Sequence, residues 1–254
     1  MSGATLPQST TESAARRAAR YASYFFWIMF FANFVNYLQR FIFIGLSPYI
    51  QLDLKFNDFQ YGVLITVFAF VYAVFALPLG FLADRIGRKI VVGVGMMIAS
   101  AAQLLTGTLS SFVPLIGAKS LFGLGQSGFY PAGQPLIAAQ YPATKSATVI
   151  ARWTAGALVG LAVGTLLAGF FDQNTWRTAL LITAIPGFLA ATLVLFLREK
   201  RRRAGDSSEP TPEQVEVERQ EKTTSPSAWA RFVSYLKIPT FRVLVAVQIF
   251  GFFT

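Results

Sequence analysis

Two apolar stretches of this sequence carry polar side chains at helical spacing. The first stretch holds three carboxamides and a cation, namely Asn33, Asn36, Gln39 and Arg40. The second stretch holds Lys119, Gln126 and Tyr130. Asn33, Asn36 and Arg40 share one face of a helix, and so do the three residues of the second stretch. Polar groups within a membrane are costly and usually face a cavity, so both stripes are predicted to bind a substrate.

The chemistry of these stripes favours an anion. They contain two cations, Arg40 and Lys119, and no acid. Unpaired cations in a medium of low dielectric attract an anion, so we expect a carboxylate, a phosphate ester or an anionic amphiphile. The alternative for each cation is a side chain that reaches from the helix to the outer membrane interface.

Nothing in the sequence indicates an enzyme. Cysteine and histidine are absent, which excludes disulfides and the usual metal ligands. No nucleophile–base pair is evident, so we predict no catalytic residue, no metal and no cofactor. The run Gly123–Gly128 matches G-x-G-x-x-G, but it lies inside an apolar helix rather than after a strand, where a dinucleotide site would require it.

The composition is that of a membrane protein. Hydrophobic residues make up 54% of the chain and charged residues 13%, about half the charged share of a soluble domain. The net charge of +10 arises from basic residues in short loops beside apolar runs. This distribution is typical of cytoplasmic membrane loops and argues against a nucleic-acid partner.

Six segments are long enough, at about 20 apolar residues, to cross a bilayer as helices. They are Tyr24–Leu46, Gln60–Leu82, Ile90–Leu109, Val113–Ala138, Ala147–Phe171 and Thr178–Leu197. The predicted fold is therefore an all-α, multi-pass membrane helix bundle. Basic residues before the first segment, and after the second, fourth and sixth, place the N-terminus in the cytoplasm and the chain in the plasma (inner) membrane.

The sequence divides into four parts. Residues 1–22 form a cytoplasmic tail, and residues 23–197 form the six-helix bundle. Residues 198–241 are a polar cytoplasmic linker. Within this linker, Trp229, Phe232, Val233 and Leu236 fit either an amphipathic surface helix or an extension of the next span. Residues 242–254 begin a seventh span and are too short to cross.

A charged, glycine-containing cluster connects the second and third segments. Its principal residues are Gly80, Asp84, Arg85, Gly87, Arg88 and Lys89. The cluster resembles the loop between the second and third helices of Major Facilitator Superfamily transporters. The resemblance implies a tight turn and a conformational latch, in which the acid contacts basic residues and a helix end in the other half of the transporter. A simple positive topology anchor is the alternative.

The layout also resembles the N-terminal six-helix half of that superfamily. The resemblance implies secondary transport by alternating access, with the lipid bilayer and a small anionic or amphiphilic substrate as partners. We expect the chain to be truncated or a fragment, so that a C-terminal half or a second copy completes the pathway. The alternatives are a non-transporting membrane regulator and a half-transporter that assembles with itself.

Two runs are similar to the spinster-like branch of the superfamily. Asn36–Arg40 resembles its Asn-Tyr-x-Asp-Arg run, and Lys119–Gln126 resembles its Arg-Gly-x-x-Gly-x-Gly-Glu run. Tyr235–Arg242 also fits that branch. The branch implies lipid substrates, and in bacterial members coupling to protons. This chain has glutamine where both acids are expected and lysine where an arginine is expected, which puts proton coupling through those acids in doubt.

A glycine repeat is predicted to mediate close helix packing. Gly156, Gly160 and Gly164 recur every four residues on the fifth segment. Small residues at this spacing let the backbones of two membrane helices approach each other. Pro131, Pro135 and Pro186 interrupt the fourth and sixth segments, and the kinks they cause either support rocking motions or serve a purely structural role.

Overall fold

The computed structural model describes residues 8–199, without the side chains of residues 8–15, 18 and 143. The described chain forms eight α-helices and contains no strand. They are α1 (Gln8–Gly45), α2 (Ser47–Leu54), α3 (Asp58–Ile86), α4 (Arg88–Thr108), α5 (Phe112–Ser127), α6 (Phe129–Ala138), α7 (Ala143–Ala168) and α8 (Trp176–Phe196). This confirms the predicted all-α class. The amphipathic segment of the linker and the seventh span lie outside the described residues.

Five of the described helices are long and apolar enough to cross a membrane. These spans are Ala19–Gly45, Asp58–Ile86, Arg88–Thr108, Thr144–Ala168 and Trp176–Phe196. The predicted fourth span appears instead as two consecutive helices, α5 and α6. The break follows from Pro131, which has no N–H to donate to the carbonyl of Ser127 four residues earlier. Helix α5 therefore ends at Ser127, and Gly128 forms the junction.

The turn between α3 and α4 is shorter than predicted. Helix α3 continues through Asp84 and Arg85 to Ile86, and α4 begins at Arg88. Only Gly87 lies between them, with a φ of +110° that favours glycine. Gly80 lies well inside α3, where an added Cβ would be 3.3 Å from Pro131 Cβ. The predicted tight turn is thus a single-residue junction, because the charged residues belong to the ends of the two helices rather than to a loop between them.

The interior consists of two large apolar clusters with polar residues between them along α1. One cluster surrounds Phe25, Met29 and Trp153, and the other surrounds Leu46 and Trp176. Helix α1 packs along α7, α4 packs along α8, and α5 packs against both α3 and α4. The polar belt at residues 33–40 therefore lies near the middle of the bundle.

Polar contacts group the helix ends into the same two sets that the charge distribution predicted. At one end the Tyr21 hydroxyl donates to the Arg198 carbonyl at 3.0 Å, so the start of the α1 span meets the end of α8. At the other end Arg177 donates to Ser110 Oγ at 3.1 Å, so the start of α8 meets the end of α4. Much of the outer surface of α3, α7 and α8 is apolar, as a membrane requires.

Candidate functional site

Arg40 on α1 and Gln126 on α5 form a two-point contact. The Nε and Nη2 groups of Arg40 donate to Gln126 Oε1 at 3.1 and 2.8 Å. Gln126 Nε2 donates in turn to the Asn36 carbonyl oxygen at 3.1 Å. The structure thus brings together members of the two stripes that the sequence placed far apart.

Three aromatic rings surround the Arg40 guanidinium. Its central carbon lies 5.2 Å from the ring centroid of Tyr37, 4.9 Å from that of Phe68 and 5.1 Å from that of Tyr72. Each distance is within the range of a cation–π interaction. Arg40 is half-buried, so part of this residue remains accessible at the surface of the described helices. Such a site can bind an anionic group while the rings contact an apolar part of the same molecule.

Asn33 connects α1 to α7 and α6. Its Nδ2 donates to the Trp153 carbonyl oxygen at 2.9 Å, and its Oδ1 accepts from the Tyr130 hydroxyl at 3.4 Å. Trp153 Nε1 donates back to the Met29 carbonyl at 2.8 Å. The Tyr130 ring also meets the Tyr37 ring edge-on, with centroids 6.2 Å apart. Tyr130 therefore lies next to the aromatic surround of Arg40.

Gln39 turns away from this site toward α4 and α8. Its Nε2 donates to Ser100 Oγ at 3.2 Å and to the Thr183 carbonyl at 3.1 Å. Gln103 Nε2 donates to the Gln39 carbonyl at 3.2 Å. Gly187 makes room for the Gln39 amide, since an added Cβ would be 3.1 Å from Gln39 Cδ. These contacts make Gln39 a bridge between three helices.

Lys119 lies apart from Arg40 in an apolar environment. Its side chain is 3% exposed, and its Nζ is 3.1 Å from the ring centroid of Phe43 and 5.1 Å from that of Phe122. Seven residues of helix separate it from Gln126, which corresponds to about 10 Å along α5. Lys119 therefore contacts aromatic faces and does not join the Arg40–Gln126 contact.

The seven predicted binding residues differ in their accessibility. Arg40 and Tyr130 are half-buried. The other five are buried within the bundle, namely Asn33, Asn36, Gln39, Lys119 and Gln126. Of these seven residues only Arg40 and Tyr130 are partly exposed, and Gln126 and Asn33 hydrogen-bond to them.

The cluster at the α3–α4 junction is held by an acid from the end of α8. Arg88 Nη2 forms a salt bridge with Asp84 at 2.9 Å. The backbone N–H groups of Arg88 and Lys89 donate to the Glu199 carboxylate at 3.3 and 3.4 Å, and Lys89 Nζ donates to the Leu197 carbonyl at 3.0 Å. Glu199 thus caps the positive N-terminus of α4.

A second charged cluster joins α2 to α8 at the opposite end of the bundle. Asp53 accepts hydrogen bonds from Arg177 and from Trp176 Nε1, the latter at 3.1 Å. The hydrogen bond from Arg177 holds the pKa of Asp53 below its usual value. The Arg177 guanidinium also stacks over the Trp176 ring, 4.3 Å from its centroid.

The glycine repeat of α7 lies directly against the backbone of α1. A Cβ at Gly156 would be 3.0 Å from the Phe30 carbonyl oxygen, and one at Gly164 would be 2.8 Å from the Leu38 carbonyl oxygen. Gly160 lies against the Phe34 carbonyl in the same way. The repeat therefore sets the separation between α7 and the helix that carries Arg40.

A family model described as Major Facilitator Superfamily matches residues 29–254. The chain belongs to the Major Facilitator Superfamily. It is accordingly an integral, multi-pass membrane protein, and this confirms the family to which the sequence resemblance pointed.

Several relatives within the superfamily carry the spinster name. Protein spinster of Drosophila melanogaster is 27% identical over 71% of this chain and 30% of its own length. The sphingosine-1-phosphate transporter SPNS2 of Danio rerio is 28% identical over 70% of this chain and 36% of its own. The hexuronate transporter of Bacillus subtilis is 28% identical over 68% of this chain and 41% of its own. The predicted resemblance to the spinster-like branch is confirmed, and the chain spans well under half the length of these relatives.

A solved structure shares the fold. The crystal structure of a bacterial homologue of the human lysosomal transporter spinster, inward-facing and unoccupied, matches with a TM-score of 0.70 at 22% identity. The match covers 80% of this chain and 49% of that one. The described helices therefore correspond to about half of a superfamily transporter.

Sequence reasoning did not single out several residues that complete these contacts. They are Tyr37, Phe68, Tyr72, Ser100, Gln103, Thr183, Asp53, Trp176, Arg177 and Glu199. The polar residues of α4 gave a usable signal, since Ser100 and Gln103 are three positions apart in an apolar helix. The aromatic residues gave none, because the spans contain many and only the packing selects three.

Proposed function

We propose that this chain contributes to secondary transport of an organic anion or an anionic lipid by alternating access. The observation that carries the proposal is Arg40, a half-buried residue whose guanidinium lies among three aromatic rings and is hydrogen-bonded to a neutral amide. A cation lined by rings suits a molecule with an anionic group next to an apolar or ring-shaped body. The names of two relatives, a sphingosine-1-phosphate transporter and a hexuronate transporter, are consistent with this class.

Within this proposal the predicted residues have different roles. Arg40 and Tyr130 contact the substrate directly. Asn33, Asn36, Gln39 and Gln126 position them from within the bundle. Lys119 becomes available to an anion only when the ring of Phe43 moves off its Nζ.

The remaining parts of the proposal concern assembly and location. A second six-helix half, in a longer chain or in a second copy, completes the pathway, because the relatives compared are more than twice as long as the matched region. The cluster from Gly80 to Lys89 acts as the latch that stabilises one conformation. The N-terminus lies in the cytoplasm and the protein in the plasma (inner) membrane, as the basic loops indicate.

The test compares ligands that differ only in their anionic group. Binding to the purified chain in nanodiscs would be measured for glucuronate against glucose, and for sphingosine 1-phosphate against sphingosine. We expect the anionic member of at least one pair to bind more tightly, and Arg40→Ala to weaken that binding about 10- to 100-fold, as for a lost charge-assisted hydrogen bond. Uptake into proteoliposomes would then be measured for this chain and for a version joined to a second half.

Arg198→Ala provides the matched control. Arg198 is exposed, and its described hydrogen bonds use only its backbone, so this variant removes the same charge without touching the site. Equal binding of the charged and neutral members of both pairs, or equal losses in Arg40→Ala and Arg198→Ala, would refute the proposal.

A further inference from the structure

Gln126 lies where a side chain with a carboxylate would neutralise the charge of Arg40. Its Oε1 accepts two hydrogen bonds from the guanidinium, at 3.1 and 2.8 Å. Its Nε2 donates to the Asn36 carbonyl, which accepts and cannot donate. The reverse orientation of the amide would direct N–H groups at the donors of Arg40 and leave two carbonyl oxygens facing each other. The contacts therefore fix which end of the amide faces the cation.

A carboxylate of the same length would satisfy the same two donors. Glutamate differs from glutamine here only in replacing the amide nitrogen by a second oxygen, and in carrying a negative charge at neutral pH. It would pair with Arg40 and compete with any anion for that cation. With glutamine, the guanidinium keeps its orientation and its full charge.

The other groups that face this pair do not supply the missing negative charge. Tyr37 and Tyr72 lie over the guanidinium, and Tyr130 lies against Tyr37. None of these three side chains is a carboxylate. The described spans contain acids only at the ends of α3, at Asp58 and Asp84. Lys119, about 10 Å along α5 from Gln126, is an amine and cannot supply a negative charge.

We propose that Gln126 is the positioning residue that fixes the charge of this site. It orients Arg40 without neutralising it, so that an anion binds without the uptake or release of a proton at this pair. This inference rests on the proposed function, because it specifies how the same site recognises an anion. A substrate with a permanent negative charge is then held equally well at acidic and at neutral pH.

The first experiment measures how anion affinity depends on pH. An alkyl sulfonate serves as the probe, because its charge does not titrate between pH 5 and pH 8. We expect the affinity of the unmodified chain to be unchanged across this range. In Gln126→Glu the affinity should fall at least tenfold at both pH 8 and pH 5, because Arg40 keeps the introduced carboxylate ionised and paired with it. Both proteins are also measured with Lys119→Met, which removes the nearby titratable amine.

The second experiment needs no ligand. The melting temperature of Gln126→Glu relative to the unmodified chain is measured in detergent at pH 8 and at pH 3. An uncompensated Arg40 should stabilise the introduced carboxylate in its ionised form, so the variant should gain more stability at pH 8 than at pH 3, where the carboxylate becomes protonated. Gln173→Glu makes the same change on an exposed loop and should show no such difference.

These measurements separate the failure of this inference from that of the proposed function. If the sulfonate and the anions of the earlier test do not bind at any pH, the proposed function is refuted. The melting temperatures then still show whether Arg40 lacks a compensating negative charge. A pH-dependent affinity in the unmodified chain that persists in Lys119→Met would overturn the inference. So would a Gln126→Glu variant that folds, binds the sulfonate as tightly as the unmodified chain, and shows the same melting behaviour as Gln173→Glu. If Gln126→Glu does not fold, the pH dependence of sulfonate affinity in the unmodified chain still tests the inference.

Discussion

The cluster at Asp53 allows a test of how much one polar contact at the end of the bundle contributes to its stability. Asp53 and Arg177 are 33% and 31% exposed, so their ion pair should contribute about 0.5 kcal/mol, as for a partly solvated pair. Trp176 is buried, and its Nε1–H has Asp53 as its hydrogen-bond acceptor. Leaving that buried donor unpaired costs about 1–3 kcal/mol.

Two substitutions separate these contributions. Asp53→Asn keeps a side-chain oxygen that accepts from Trp176 and loses the ion pair, so the free energy of unfolding should fall by about 0.5 kcal/mol. Asp53→Ala loses both contacts, so the fall should be about 2 kcal/mol. Reversible unfolding in mixed micelles of detergent and SDS, followed by tryptophan fluorescence, gives both values. Equal losses for the two variants would contradict the importance of the Trp176 hydrogen bond.

The same contact predicts a pH dependence. The hydrogen bond from Arg177 lowers the pKa of Asp53 in the folded protein. A carboxyl with a lowered pKa stabilises the fold above its unfolded-state value, about 3.9, and this stabilisation is lost as the pH falls through the folded-state pKa. The difference in stability between the unmodified chain and Asp53→Asn should therefore be constant from pH 8 to pH 5 and shrink below about pH 4. A difference that grows on acidification would refute the assignment.

The remaining predictions concern packing and helix ends. Gly160→Ala should reduce the yield of folded protein in detergent, because its Cβ would meet the Phe34 carbonyl, whereas Gly117→Ala has open space and should behave like the unmodified chain in size-exclusion chromatography. Glu199→Gln removes a charge from the N-terminus of α4 and should lower the free energy of unfolding by about 0.5–1 kcal/mol, measured as above. Trp153→Phe loses a buried hydrogen bond to α1 and should cost about 1 kcal/mol, and an unchanged stability would count against that bond.

The helices were predictable because a membrane leaves few choices for an apolar chain. A span must satisfy its backbone internally and be long enough to cross, and both conditions are visible in the sequence. The predicted Ile90–Leu109 and Thr178–Leu197 differ from α4 and α8 by at most two residues at each end. The break at Gly128 was missed because Pro131 was read as a kink within one continuous helix.

The site was predictable only in part. The spacing of polar residues on α1 predicted one polar stripe, and the structure places Arg40 of that stripe in contact with Gln126. Spacing does not reveal which neighbouring helix covers a face. For this reason it did not show that Asn33 and Asn36 are buried while Arg40 is half-exposed. Nor could it show that Lys119 lies against Phe43, since the two residues are far apart in the sequence.

The division of the fourth span at Gly128 places two side chains that contact α1 on different helices. Gln126, at the end of α5, holds Arg40, while Tyr130, at the start of α6, touches Asn33 one to two turns away. The junction between them lacks the backbone hydrogen bond that Pro131 cannot donate. Bending at this junction can move Tyr130 relative to Asn33, while the hydrogen bonds from Arg40 to Gln126 keep the guanidinium in place. The Arg40 guanidinium can thus keep its position while the aromatic side of the site, at Tyr130, changes its position relative to it.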